Sequence, residues 1–583
     1  MRHTGPDSRY YNQTCFFRTF RFNRLRSDRR AASVRGSHAA SPLAPARMRL
    51  IQIRTTISRM LTLATFLILL LAGSAVTVAL TMARPRHALP GAVVALAITT
   101  LLWLLALGQI PQSYTASASL VPAAGFTWTW HVGRPLWMLS LALFLLQLGA
   151  LLYLNAPAAM EQRARQARIV VLLGAAAHLA FWSSSLPALV ASWSLLALLW
   201  GMGRWEYAGE RFNIERAVGR TGLSLGAIFL LWLGAAIIPG PDQTADAGIW
   251  PTLTTTLALL AIVVQLALAP LALRQIRSRH RQSNLPLLLS ILPGAAGAAL
   301  LLRLEAVSDI GLAFALPLTL AGLFALLWAG RLAWSAAGGQ EPLAPALIVA
   351  QTGLVLLAGV WTTPQAAVAE ARVLLLGGGL LALVSPTLAR DDDEVNISHR
   401  VAVAARLLAL AALLGLPLTA GFQGRAALYS VWVDEGRWLL IAVTALLHLP
   451  LAAAGLVVAR QSLQSVSLSE RLERRHLPRV AGLILPAAGL LGVAALTEAS
   501  IPAWLAVLAP VALAWPLARF LPEAEEVERT MRQAFQLQLP SGALVRRVGR
   551  GAGLALREAA LILEGESGLL WLLLFLVILW LAR

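Results

Sequence analysis

"LGLPLTAGFQGRAALYS", residues 414–430, lies between two long apolar runs and decides how the chain is read. Pro417 removes a backbone donor and clashes with the preceding turn, so a helix cannot run straight through it. With Gly415, Gly421 and Gly424 beside it, a spanning helix is predicted to break here near mid-membrane. Irregular backbone at that depth is tolerated only where it is buried in protein or lines a polar cavity. Arg425 adds a full positive charge next to the break, and an ionisable residue in such a place marks a functional site.

The composition gives this stretch its setting. The 583 residues are 58% hydrophobic and 13% charged, with mean hydropathy +0.70, which is the range of polytopic membrane proteins. A single cysteine, Cys15, allows no internal disulfide, and no spaced Cys/His set offers a zinc or iron–sulfur site, so no cofactor is expected. The net charge of +20 shows no basic face interleaved with aromatics, which excludes nucleic acid as a partner. Arginine supplies all 48 basic residues; there is no lysine.

Runs long enough to cross about 30 Å of hydrocarbon fall at 60–82, 90–110, 135–154, 169–183, 185–202, 221–239, 250–273, 285–303, 311–335, 343–362, 370–389, 401–433, 437–459, 479–495, 500–520 and 567–582. The connections alternate in charge. Arg163, Arg165 and Arg168 are followed by uncharged Ser183–Ser185, then by Arg204, Arg211, Arg216 and Arg220, then by Asp242 and Asp246. The positive-inside rule places the basic connections, including 203–220, 274–283 and 461–478, in the cytoplasm.

Residues 1–59 break that rule, with 13 arginines against Asp7 and Asp28 on a tail the same count puts outside. An Arg- and Ser-rich transit peptide and a disordered basic arm are two readings. The favoured third is an upstream extension absent from the mature protein, which would start at Met48 or Met60. The remaining organisation is a transmembrane domain at 60–520, a cytoplasmic amphipathic or lateral segment at 521–566, with a plain cytosolic linker as the alternative, and a last spanning helix at 567–583.

The opening stretch, continued to Gln461, resembles the twelfth and thirteenth helices of the antiporter-like subunits shared by respiratory complex I, Mrp-type sodium/proton antiporters and membrane-bound hydrogenases. "FTWTWHVGRPLWMLSLALFLL" (126–146) is similar to that family's short extracellular strand and third helix. "SSSLPALVASWSLLALLW" (183–200) is similar to the fifth helix, "AVGRTGLSLGAIFLLWLG" (217–234) to the sixth, and "LALLAIVVQLALAPLALRQ" (257–275) to the broken seventh, with Pro270 at its break. The resemblance implies an all-α polytopic membrane protein of about fourteen to sixteen transmembrane helices. Its inverted repeats, near 169–303 and 311–459, each contain a broken helix. It also implies residence in the plasma (inner) membrane of the cell, in contact with the lipid bilayer, other membrane subunits of a multi-subunit complex as partners, and quinone only through those subunits.

The same resemblance implies a proton relay of a Glu on the fifth helix and lysines or histidine on the seventh, eighth, eleventh and twelfth. Here the acidic position is Ser194, the seventh-helix position is Gln265, the eighth offers Leu289, Leu292 and Pro293, and the eleventh Gly377–Gly379. Only the twelfth keeps a charge, as Arg425. A guanidinium stays protonated and cannot pass a proton on, so Arg425 is read as a fixed charge. His178 and His448, inside apolar runs, are either relay groups or hydrogen-bonded interior residues. Glu305, Glu370 and Arg372 are placed at helix ends, reaching for the interface. Residues 390–400 read as a solvated cytoplasmic connection rather than a metal site.

The first functional expectation is therefore a divergent subunit of a complex I-like NADH–quinone oxidoreductase or Mrp-like antiporter complex. Most of its titratable groups are lost, which leaves a structural or gating role, and the chain is non-catalytic by itself. An active proton channel through His178, His448, Ser194, Gln265 and water is one alternative, and a membrane subunit of an inorganic-carbon uptake complex is the other.

Overall fold

The computed structural model describes residues 62–106, 112–116, 128–153, 160–208, 211–237, 251–273, 288, 291–307, 312–337, 343–384, 397–464, 477–491 and 500–520. The expectations for the tail at 1–59, for the segments 521–566 and 567–583, and for most of the 390–400 connection lie outside them.

Sixteen helices and one hairpin make up the described chain. Helix α1 (Leu63–Ala83) starts on Thr62, whose side chain accepts from the Thr65 amide, and α2 (Pro85–Leu105) starts on a proline, which suits a first turn. After the hairpin β1 (Gln112–Ala116) and β2 (Trp128–Val132) come α3 (Arg134–Tyr153), α4 (Met160–Trp182), α5 (Leu186–Ala208), α6 (Arg211–Ile237), α7 (Thr252–Leu273) and α8 (Ile291–Val307). The second stretch comprises α9 (Leu312–Ala337), α10 (Leu343–Trp361) and α11, which runs Pro364–Arg372, takes a π-helical turn at Val373–Gly377 and continues Gly378–Val384. It goes on through α12 (Ile397–Leu414), α13 (Ala420–Asp434), α14 (Trp438–Gln464), α15 (Leu477–Gly489) and α16 (Ile501–Phe520).

Eleven candidate spans among the described residues are long and apolar enough to cross a membrane, and Thr252–Ala267, Ile291–Leu304 and Leu477–Gly489 are shorter apolar helices. The chain is thus an all-α, multi-pass membrane protein. α10 and α11 are buried on nearly every side, whereas α1, α6 and α16 turn most of their apolar surface outward, as helices facing lipid do.

The hairpin is antiparallel, with Gln112 opposite Val132 and Ala116 opposite Trp128. Ser183–Ser185 lies against it: the Ser184 amide donates to the Thr129 carbonyl at 2.9 Å, and the Thr129 amide to Ser185 Oγ at 3.1 Å. Arg303, near the end of α8, donates through Nη2 to the carbonyls of His131 at 2.6 Å and Phe181 at 2.8 Å. It therefore ties the hairpin to the end of α4.

The apolar run 401–433 folds as two helices, and the break is Gly415–Thr419. α12 ends in a Schellman motif. The Leu416 amide reaches back to the Ala411 carbonyl at 2.8 Å, the Gly415 amide to the Ala412 carbonyl at 3.1 Å, and Gly415 takes the left-handed conformation (φ 73°). Thr419 then caps α13, accepting from the Phe422 amide at 3.3 Å. The break is held from outside as well: the Ala420 amide donates to the Leu490 carbonyl at 2.8 Å, just past the end of α15. Gly421 and Gly424, expected to help break the helix, lie inside the first turns of α13 and do something else. A methyl group on Gly421 would sit 1.8 Å from the Ala412 carbonyl oxygen, so only glycine lets the two half-helices approach this closely.

Candidate functional site

Arg425 sits in the second turn of α13, wholly buried. Its Nη2 donates to the carbonyl of Leu413, in the last turn of α12, so the guanidinium spans the break and neutralises the negative end of the helix that stops there. Its Nε lies 3.8 Å from Oε1 of Glu370 on α11. The other carboxylate oxygen of Glu370 accepts from Gln351 Nε2 on α10, and that same amide donates to the Glu370 carbonyl at 2.9 Å. The remaining glycines of the stretch leave room for this pair. A methyl group on Gly424 would lie 2.7 Å from Glu370 Oε1, and one on Gly415 2.5 Å from Arg425 Nη1.

Glu370 corrects the sequence reading, which placed it at a helix end with its head in water. α11 begins at Pro364, almost two turns earlier, and Glu370 is 0% exposed. An ionised carboxylate in that setting is tolerable because a guanidinium and an amide face it. Arg372 is likewise turned inward, donating through Nη2 to the Gly489 carbonyl at 2.6 Å at the end of α15.

Several buried polar atoms of this centre find no hydrogen-bond partner within the protein: Arg425 Nε and Nη1, Glu370 Oε1, Gln351 Oε1 and His448 Nε2. Thr444 Oγ1, one turn before His448 on α14, is in the same condition. Such groups are ordinarily satisfied by ordered water. Arg425, expected from the sequence, thus forms one polar centre with Glu370 and Gln351, while His448, also expected, is buried on α14 with Nε2 unanswered.

The other expected residues have different surroundings. Ser194 Oγ donates to the Val190 carbonyl of its own helix at 2.7 Å. Gln265, buried on α7, pairs with Ser224 of α6, its Nε2 lying 3.0 Å from Ser224 Oγ. Pro270 lies in the last turn of α7, and residues 274–287 after it are outside the described part. His178 makes no hydrogen bond within the protein: both ring nitrogens lack a partner, and the ring stacks on Phe144 at 3.9 Å between centroids, with Trp182 at 5.3 Å. It packs as an aromatic core residue. His178→Phe should therefore keep the yield and thermal midpoint of the purified protein, with a change below about 1.5 kcal/mol, as for a volume-conserving core swap. A collapse of yield would show a polar role.

Solved structures carry this architecture. A chain of the Mrp complex from Dietzia sp. DQ12-45-1b superposes with TM-score 0.61 and 16% identity over 89% of this chain. A chain of the membrane-bound sulfane sulfur reductase, an archaeal respiratory membrane complex, superposes with TM-score 0.61 and 16% identity over 89% of this chain and 100% of its own. The chain shares the fold of these membrane-complex chains. A chain of respiratory complex I from Thermus thermophilus agrees, with TM-score 0.59 and 16% identity over 78% of this chain and 99% of its own. This chain spans 62% of the length of the Mrp chain. By sequence, no protein-family model and no curated protein matches. The Glu370–Arg425 centre lies among α10–α13, within the stretch 311–459.

Proposed function

We propose that this chain is a membrane subunit of an ion-translocating complex of the Mrp or complex I kind, resident in the plasma membrane. In this reading the Glu370–Arg425 pair holds and gates the broken helix of its second half. The observation that carries it is the position of Arg425, bridging the end of α12 and the buried acid of α11. A guanidinium remains charged throughout, so it sets a permanent field at the break, while Glu370 is the group able to take up and release a proton. Protonation of Glu370 removes half of the ion pair and leaves Arg425 held by the Leu413 carbonyl alone. The occupancy of one proton is thereby linked to how firmly α13 is held against α11. The channel reading through His178, His448, Ser194, Gln265 and water has less support, since Ser194 bonds to its own helix, Gln265 to a neutral partner and His178 stacks on aromatic rings, which leaves His448 alone of the four near the charged centre.

Affinity purification of the tagged chain from its native membranes should bring down other multi-pass subunits as one complex. Recovery of the chain alone would refute the subunit assignment. In reconstituted vesicles of that complex, Glu370→Gln should preserve assembly and change ion flux several-fold, and Arg425→Lys should preserve assembly. Unchanged flux in an assembled Glu370→Gln complex would overturn the gating role.

A further inference from the structure

The positive-inside rule puts arginine on the connections that stay in the cytoplasm, and it asks nothing of how those arginines pack. Arg165 behaves accordingly: it is exposed, as is Glu161 one turn earlier on α4. Arg163 and Arg204 do not. Arg163 shares a face of α4 with Ala167, one turn on and wholly buried, and its Nε is buried without a hydrogen-bond partner. Arg204 shares a face of α5 with the buried Trp200, one turn back; its guanidinium lies over the Trp200 ring at 5.1 Å, and its Nη1 is buried and unanswered. Among the described residues neither guanidinium has a hydrogen-bond acceptor or a carboxylate partner.

The connection between the two helices brings both residues to one level. α4 and α5 pack against each other and are joined by Ser183–Ser185 alone. Arg163 stands twenty residues before Ser183 and Arg204 nineteen after Ser185. At about 1.5 Å per residue both lie about 30 Å from that turn, the thickness of the hydrocarbon core. They therefore reach the same end of the pair, at the depth of the phosphate groups of the cytoplasmic leaflet. α6 closes on α5 just before Arg204, so tightly that a methyl group on Gly201 would lie 2.6 Å from Thr221 Oγ1.

A covered cation calls for a counter-charge and not for water alone, because burying an unpaired charge costs far more than burying an unpaired dipole. Two guanidinium forks at the membrane interface suit a phosphate group, since each can give two parallel N–H bonds to an oxoanion. Stacking on Trp200 presets one of the forks. We infer that the cytoplasmic ends of α4 and α5 form a phosphate site held by Arg163 and Arg204, which takes the headgroup of an anionic phospholipid or free phosphate from the cytoplasm. The site is separate from the Glu370–Arg425 centre and stands whether or not the chain moves ions.

Phenylglyoxal, which modifies accessible arginine, tests this on the wild-type protein, with the exposed Arg165 as internal reference. The purified protein is labelled in phosphatidylcholine nanodiscs alone, with added inorganic phosphate, and with potassium chloride of equal ionic strength, and also in phosphatidylglycerol nanodiscs; peptide masses give the extent at each arginine. Labelling of Arg163 and Arg204 should fall several-fold relative to Arg165 with phosphatidylglycerol if the headgroup is the source, and with inorganic phosphate if the free anion is. Unchanged ratios in both arms would overturn the site, and so would an equal fall in chloride, which is screening alone. The phosphatidylglycerol retained through purification, or the phosphate bound, should drop several-fold when Arg163→Gln and Arg204→Gln are combined, but not in Arg165→Gln. Equal binding by the two variants would refute the assignment, and if the double variant does not assemble, the wild-type labelling decides.

Discussion

Arg425→Leu is expected to cost about 3–5 kcal/mol, the penalty for removing one partner of a buried ion pair. The loss strands the Glu370 carboxylate in the interior, with only Gln351 to face it, and frees the Leu413 carbonyl beside the break. The yield of assembled complex should fall steeply, and denaturant titration of the purified chain in detergent should show the loss directly. The informative partner is Arg425→Leu combined with Glu370→Leu, which removes both charges at once and should recover much of the stability, since apolar replacements of a buried pair are often neutral. Contacting residues typically show coupling of about 0.5–3 kcal/mol in such a cycle. Strictly additive losses would mean that the two side chains do not act as a pair.

Gly421→Val should be the most damaging single change at the break. The obstacle to any side chain there is the Ala412 carbonyl, backbone fixed by the last turn of α12, at 1.8 Å from where the first carbon must go. Overpacking a core usually costs about 1–3 kcal/mol when flexible side chains give way, and a rigid carbonyl gives less. The two half-helices must separate, so limited proteolysis should gain a cut near residues 415–419 together with a drop in thermal midpoint. Gly222→Ala is the control. Gly222 lies inside α6 with nothing within 4 Å, so the added methyl should help by up to about 1 kcal/mol through helix propensity. A Gly421→Val variant as stable as wild type would mean that the close approach of α12 and α13 is not needed.

Much of this architecture is legible in the chain itself, because spanning helices announce themselves by length and apolarity and a proline inside one is conspicuous. The spans among the described residues and the interruption at Pro417 follow from such local signals, whereas the short strand before α3 was expected from the family resemblance alone. Glu370 does not. The apolar run that marks α11 starts only at residue 370, since the helix opens with "PQAAVAEAR", a polar-looking stretch that is nonetheless enclosed by neighbours. Its partner Arg425 is on another helix, and no periodicity connects two positions that far apart. Gly421 and Gly424 mislead for a related reason: in sequence a glycine beside a proline reads as a breaker, whereas here both serve as clearance for atoms contributed by α12 and α11. The environment of His178 depends on Phe144 from the preceding helix, which one strand of sequence cannot reveal.

α15 gives the molecule a load path. At its far end the Leu490 carbonyl grips the first amide of α13, and one residue earlier the Gly489 carbonyl is held by Arg372 of α11. Midway along, Gly482 lies back to back with Gly149 of α3, so close that a methyl group on either would stand 2.6 Å from the other's carbonyl oxygen. A short rod is thereby clamped at both the break and the third helix, with no slack at either joint. Any tilt of α13 pulls on α15, and α15 bears on α3. The third helix is mechanically enlisted by the charge centre.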